Sequence, residues 1–110
     1  MTYFETSLLL KKMLDHPNCV RLFEVIETPS HILAVEELCE FGSLFKYVRI
    51  KGPSSEHKVK FIFRQVLRGL AYIHSLGYAL RRVTLDSILI NNEGIVKFSN
   101  FGHAVPRTDR

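Results

Sequence analysis

Cysteine is scarce in this chain, and long apolar runs are missing. Cys19 and Cys39 stand alone, in no C-x-x-C or zinc-ligand spacing, so no disulfide framework is indicated and both read as buried or half-buried thiols of a reducing compartment, cytoplasmic or nuclear. Leu8-Leu9-Leu10, the longest apolar run near the start, is too short for a signal-peptide core or a spanning helix, and no membrane partner is expected. The histidines His16, His31, His57, His74 and His103 form no H-x-x-x-H or comparable pair, so no metal site is expected. No internal repeat or low-complexity segment is present.

What remains is an ordinary globular composition: 110 residues, 46% hydrophobic and 24% charged. That is one domain at most, with one modest core. The formal charge of +4 comes from basic residues that are scattered or lie along a solvated helix face, so a nucleic-acid partner is not expected.

Residues 4 to 14 carry Leu8, Leu9, Leu10, Met13 and Leu14 in a helical pattern that Asp15-His16-Pro17-Asn18 ends, because proline cannot continue a helix. Val20 to Glu27 and Ile32 to Glu36, around Thr28-Pro29-Ser30, predict an antiparallel hairpin. Phe41-Gly42-Ser43 opens a short helix that Gly52-Pro53 breaks. From Ser55 to His74, Val59, Ile62, Phe63, Val66, Leu67, Leu70 and Ile73 form one helical stripe, which predicts the core helix. Gly77 supplies its stop. Ile88 to Ile90 and Ile95 to Phe98 flank Asn91-Asn92-Glu93-Gly94, a second hairpin.

The chemistry concentrates in two loops, Leu80-Arg81-Arg82-Val83-Thr84-Leu85-Asp86-Ser87-Ile88-Leu89-Ile90 and Lys97-Phe98-Ser99-Asn100-Phe101-Gly102. Their spacing resembles H-R-D-L-x-x-x-N followed by D-F-G, the active-site loops of eukaryotic protein kinases. The resemblance extends over His16-Pro17-Asn18-Cys19-Val20-Arg21-Leu22, over the hinge-like Val35-Glu36-Glu37-Leu38-Cys39-Glu40-Phe41-Gly42-Ser43-Leu44-Phe45, and over Phe63 to His74. It covers positions 7 to 103 in family order, in the manner of Ser/Thr kinases.

It implies an α+β fold: a partial kinase domain with a small-lobe remnant over 1–37 and a large-lobe remnant over 38–110. Val59, Ile62, Phe63, Val66, Leu67, Leu70, Ile73, Leu89 and Phe101 are expected to be the most buried residues. Part of the long helix is also expected to be left open, because the large-lobe helices that would cover it are not encoded here.

The departures from the pattern form a set. Arg82 stands where the family has its general base, Thr84 where it has the phosphate-steadying lysine, Ser87 where it has a metal-binding Asn, and Asn100 where it has the metal-binding Asp. Leu80 replaces the loop's His. Ser7 falls where the regulatory helix should carry its Glu, with Glu5 on another face. Lys11 sits at a position expected to be apolar, and Glu36 occupies the gatekeeper position, also usually apolar. The Gly-rich phosphate loop, the strand lysine and the A-P-E motif have no counterpart in these residues.

No catalytic residue is therefore intact and no metal is expected. Glu37, Cys39 and Leu89 are weak candidates for a nucleotide site, with metal-independent ATP binding as the most the site would offer. The resemblance implies a pseudokinase-type module that binds protein, an active kinase being one candidate partner. The alternatives are a relic without a defined role and a fragment of an active ATP-dependent Ser/Thr kinase.

Overall fold

The computed structural model describes residues 3–52, 55–80, 83–99, 101 and 104–106, with the backbone alone over 3–7 and 104–106. Helix α1 spans Tyr3–Met13, and strands β1 (Leu22–Glu27) and β2 (Ile32–Glu36) form an antiparallel hairpin with a register irregularity between Leu22 and Glu24. Helix α2 (Leu44–Lys51) starts at Ser43, whose hydroxyl accepts from the Lys46 N–H at 3.1 Å. It ends at Gly52, whose φ of 75° is open to glycine at little cost. Helix α3 (Glu56–Ser75) is capped the same way, Ser55 accepting from the Lys58 N–H at 3.2 Å. Strand β3 (Tyr78–Leu80) pairs with β6 (Ala104–Pro106), while β4 (Ile88–Ile90) pairs with β5 (Val96–Phe98).

The architecture is α+β, as the resemblance implies. Both predicted hairpins, the leading helix, the short helix and the long helix fall in place. Strands β3 and β6 are additions. The prediction that Pro53 helps break α2 lies outside the described residues.

The core forms where α1, α3 and the β4–β5 hairpin meet. Leu10, Ile73, Ile90, Val96, Phe98 and Phe101 are almost wholly excluded from solvent, joined by Leu44 and Ile88. Tyr72 ties the end of α1 to α3: its ring stacks on His16 with centroids 4.7 Å apart, and its hydroxyl accepts from the Asp15 N–H at 2.9 Å.

The burial expected of the long helix is corrected in part. Ile73 and Phe101 are buried, but Ile62, Val66, Leu70 and Leu89 are only partly so, and Val59, Phe63 and Leu67 remain 53%, 59% and 50% exposed. The helix packs instead through Gln65, Gly69 and Ile73, spaced at i, i+4 and i+8. Gly69 lets Phe98 press against the helix backbone, and Gln65 is hydrogen-bonded through both its amide oxygen and its amide nitrogen, so the buried face is turned away from the stripe that hydrophobicity alone marks.

Candidate functional site

The site is assembled from the segment after β2, the β4–β5 hairpin and the loop before β4. In the hairpin, Ile88 pairs with Phe98, Leu89 with Lys97 and Ile90 with Val96. Side chains alternate across a strand, so Ile88, Ile90, Val96 and Phe98 share the face toward the core, and Leu89 and Lys97 share the other.

Lys97 is 8% exposed, and its Nζ lies 2.9 Å from Glu37 Oε2. Glu37 Oε1 accepts from the Arg21 N–H at 3.1 Å, and the Glu37 N–H donates to the Arg21 carbonyl at 2.9 Å. Burial pushes the Glu37 carboxyl up, but the hydrogen bonds from Lys97 and Arg21 and their charges outweigh it and hold the group below its ordinary value. Glu37 thus fastens the hinge to β5 and the chain entering β1.

Cys39 is buried, and its carbonyl accepts from the Gly42 N–H at 3.1 Å. Burial, then the charge of Glu37, raises its thiol above the usual range. Cys19 is pushed up to about 12, chiefly by burial. Neither is a reactive thiolate. Of the three nucleotide-site candidates, Leu89 keeps a half-buried side chain, while Glu37 and Cys39 have side chains engaged in or enclosed by the fold.

Thr84 and Ser87 open and close the 3-10 turn Leu85–Ser87. The Ser87 hydroxyl donates to the Thr84 carbonyl at 2.9 Å and accepts from the Thr84 N–H at 3.2 Å. Its proton and one lone pair are thereby used inside the loop. Arg82 and Asn100, like Arg81 and Gly102 and the side chains of Glu5 and Ser7, lie outside the described residues. Among the described residues no group of three His, Cys, Asp or Glu side chains is placed to hold a metal ion, and no helix is long and apolar enough to cross a membrane.

The two charges anomalous for this kind of fold find each other. Lys11 on α1 and Glu36 at the end of β2 form an ion pair, with side chains 20% and 23% exposed. The gatekeeper carboxylate therefore has a cation, supplied by the very residue that replaces an apolar one on the helix. Sequence reading leaves that cation unnamed; two opposite charges at two positions expected to be apolar were the available signal. It also missed Lys97 as the partner of Glu37. The pair lies between the surface and buried extremes of ion-pair energetics, so a double-mutant cycle with Lys11→Met and Glu36→Gln should give a coupling of about 1–2 kcal/mol. Denaturant titration of the four proteins measures it, and additive losses would show that the two side chains do not depend on each other.

A hairpin and helix, a hinge, a long helix and two loops on a second hairpin define a protein kinase-like fold with an altered site. The sequence signature of the protein kinase domain matches residues 3–109, and the chain belongs to the protein kinase family. It is 34% identical over 96% of its length to the serine/threonine-protein kinase GIN4 of Saccharomyces cerevisiae, covering 9% of that protein. Over 89% of its length it is 39% identical to maternal embryonic leucine zipper kinase of Xenopus laevis and 37% identical to sperm motility kinase 3A of Mus musculus, covering 15% and 19% of them. The chain thus spans less than a fifth of each of these three relatives.

Proposed function

We propose that this chain is a kinase-like module that does not transfer phosphate and acts by binding another protein. The observation that carries the reading is the Ser87 hydroxyl. At the position where the family motif presents a metal-binding carboxamide, it is turned into its own loop, bonded to both the N–H and the carbonyl of Thr84.

The sequence supports the same reading at three further positions. Arg82 offers no lone pair to take a proton from a substrate hydroxyl, Asn100 brings a neutral oxygen where Mg²⁺ favours a carboxylate, and Thr84 brings no charge to a transferring phosphoryl group. Loss of a general base alone costs a factor of about 10²–10⁴. Here the base, both metal ligands and the phosphate lysine are replaced together.

Calorimetric titration with ATP, with and without Mg²⁺, tests the reading. Binding should be weak and unchanged by the metal, because any anion affinity comes from Arg81 and Arg82 rather than from a coordinated cation. A micromolar, Mg²⁺-dependent affinity would overturn it.

A further inference from the structure

Among the described residues, His16 is the one titratable side chain hydrogen-bonded to the polar network of the core. Its Nδ1 accepts from the Asn18 N–H at 3.0 Å, and the turn around them is closed by the Cys19 N–H donating to the His16 carbonyl at 3.1 Å. Asn18 is 5% exposed. Its side chain donates to Gln65 Oε1 and to the Val96 carbonyl, and its carbonyl accepts from the Phe98 N–H. One hydrogen bond therefore connects the imidazole to the residue at which α3, β5 and the chain entering β1 meet.

That bond also fixes the ring's protonation. An accepting Nδ1 places the single ring hydrogen on Nε2, whereas a protonated ring donates from both nitrogens. Protonated, His16 would set donor against donor at Asn18, whose buried N–H has little water to turn to.

The surroundings oppose the charge as well. Arg68 of α3 and Lys97 of β5 act on the ring as cations, while Tyr72 of α3 stacks on its face with centroids 4.7 Å apart. A cavity of about 330 Å³ beside the ring is lined further by Asp15 and Cys19 of the same segment, Arg21 at the entry to β1 and Glu37 after β2. It has room for water to carry a proton in. Cys19 stays a neutral thiol, and Glu37 is committed to Lys97 at 2.9 Å. Among the described residues no carboxylate stands within ion-pair distance of His16. Burial, then Arg68 and Lys97, accordingly hold the imidazole below its ordinary value.

We propose that His16 is a proton-operated latch: neutral, it holds the Asn18 turn against α3 and the β4–β5 hairpin, and protonated, it lets that turn go. The latch lies outside the proposed function and needs nothing from it. Because the folded state disfavours the proton, the stabilisation is complete above the unfolded-state value of about 6.5 and is lost as pH falls through the lower folded-state value. Glu37, held below the ordinary carboxylate value, gives up its own contribution in a more acid window, so the two are separable.

Two readouts on the 110-residue chain test this. The first is NMR titration of the histidine rings, the His16 resonance being identified by its absence in His16→Asn. It should titrate below about 6.5, with the nitrogen shifts of the Nε2–H tautomer when neutral. Arg68→Gln, at an exposed position, should move that titration upward. The second is urea unfolding at about pH 7.5 and about pH 5.5. The wild-type midpoint should drop over that interval by more than the midpoint of His16→Asn, whose side-chain oxygen can accept from the N–H two residues on and does not titrate.

An imidazole that titrates at or above about 6.5 overturns the proposal, as does one that carries its neutral hydrogen on Nδ1. So does a midpoint loss as large in His16→Asn as in the wild type. A His16 titration that Arg68→Gln leaves in place overturns it too, since the cations would then not oppose the charge.

Discussion

Gln65→Ala should be among the most destabilising single substitutions in this chain, with a loss of about 2–4 kcal/mol from exposing the unmet needs of its buried partners. The Gln65 side chain, 5% exposed on its residue, holds three elements at once. Its Oε1 accepts from the Val96 N–H at 2.9 Å and from Asn18 Nδ2 at 3.1 Å, and its Nε2 donates to the Gly94 carbonyl at 3.1 Å. Asn18 Nδ2 also donates to the Val96 carbonyl at 2.9 Å, and the Asn18 carbonyl accepts from the Phe98 N–H at 2.9 Å.

Helix α3, the β4–β5 turn and the segment between α1 and β1 are thus joined by one satisfied polar network inside the core. Among the described residues no buried side-chain polar atom lacks a partner. Truncation to Ala strands the Val96 N–H away from water and leaves Asn18 with one acceptor, and a half-satisfied network is worse than none. Folded domains are stable by about 5–15 kcal/mol, so the loss should be plain as a lowered midpoint in urea. Gln65→Glu keeps the acceptor while forcing a buried charge and should be no better. If Gln65→Ala unfolds at the wild-type denaturant concentration, the network is not what holds the hairpin to the helix.

That network also marks the limit of what the sequence made legible. Element existence came from signals a chain carries locally: Pro17 and Gly52 as stops, Phe41-Gly42-Ser43 as the opening of the short helix, the apolar stripe of the long one, and Gly94, at φ 79°, in the second hairpin's turn. The altered loop positions were legible because Thr84 and Ser87 keep a spacing while changing chemistry. The packing face of α3 was not, because periodicity weighs Val59, Phe63 and Leu67 heavily and gives Gln65 and Gly69 nothing. A glutamine becomes a core residue only when Val96 and Asn18 arrive from elsewhere in the chain. Strands β3 and β6 were illegible for a related reason, since Tyr78–Leu80 is three residues long and is defined by its pairing with Ala104–Pro106. The ion pairs Lys11–Glu36 and Lys97–Glu37 likewise join residues that no local pattern connects.

Gly69→Ala should destabilise the chain even though it replaces glycine by alanine in the middle of a helix, a change that intrinsic propensity favours by about 1 kcal/mol. A Cβ at position 69 would lie 2.6 Å from Phe98 Cε2 and 2.7 Å from Phe98 Cδ2, with Asn18 Cβ at 3.4 Å. Those ring atoms cannot simply swing aside: Phe98 is 2% exposed, held in β5 opposite Ile88 and bonded through its backbone to Asn18 and Val20. Relief requires the helix and the hairpin to separate. Overpacking costs about 1–3 kcal/mol, occasionally more, and two contacts under 3.0 Å with a fixed ring place this site in the upper part of that range, at about 2–3 kcal/mol, so the net effect should be a destabilisation of about 1–2 kcal/mol.

The sign is the informative part. At an exposed helical site the same substitution stabilises, and a rise in melting temperature here would mean that α3 does not press its backbone against Phe98. A second variant isolates the cause. Phe98→Leu shortens the ring and leaves room at position 69, so Gly69→Ala should cost less in the Phe98→Leu background than in the wild type. The coupling should be about 0.5–2 kcal/mol of non-additivity in a double-mutant cycle followed by thermal or urea unfolding. Strict additivity would assign the loss to the glycine alone and remove the close approach as its explanation.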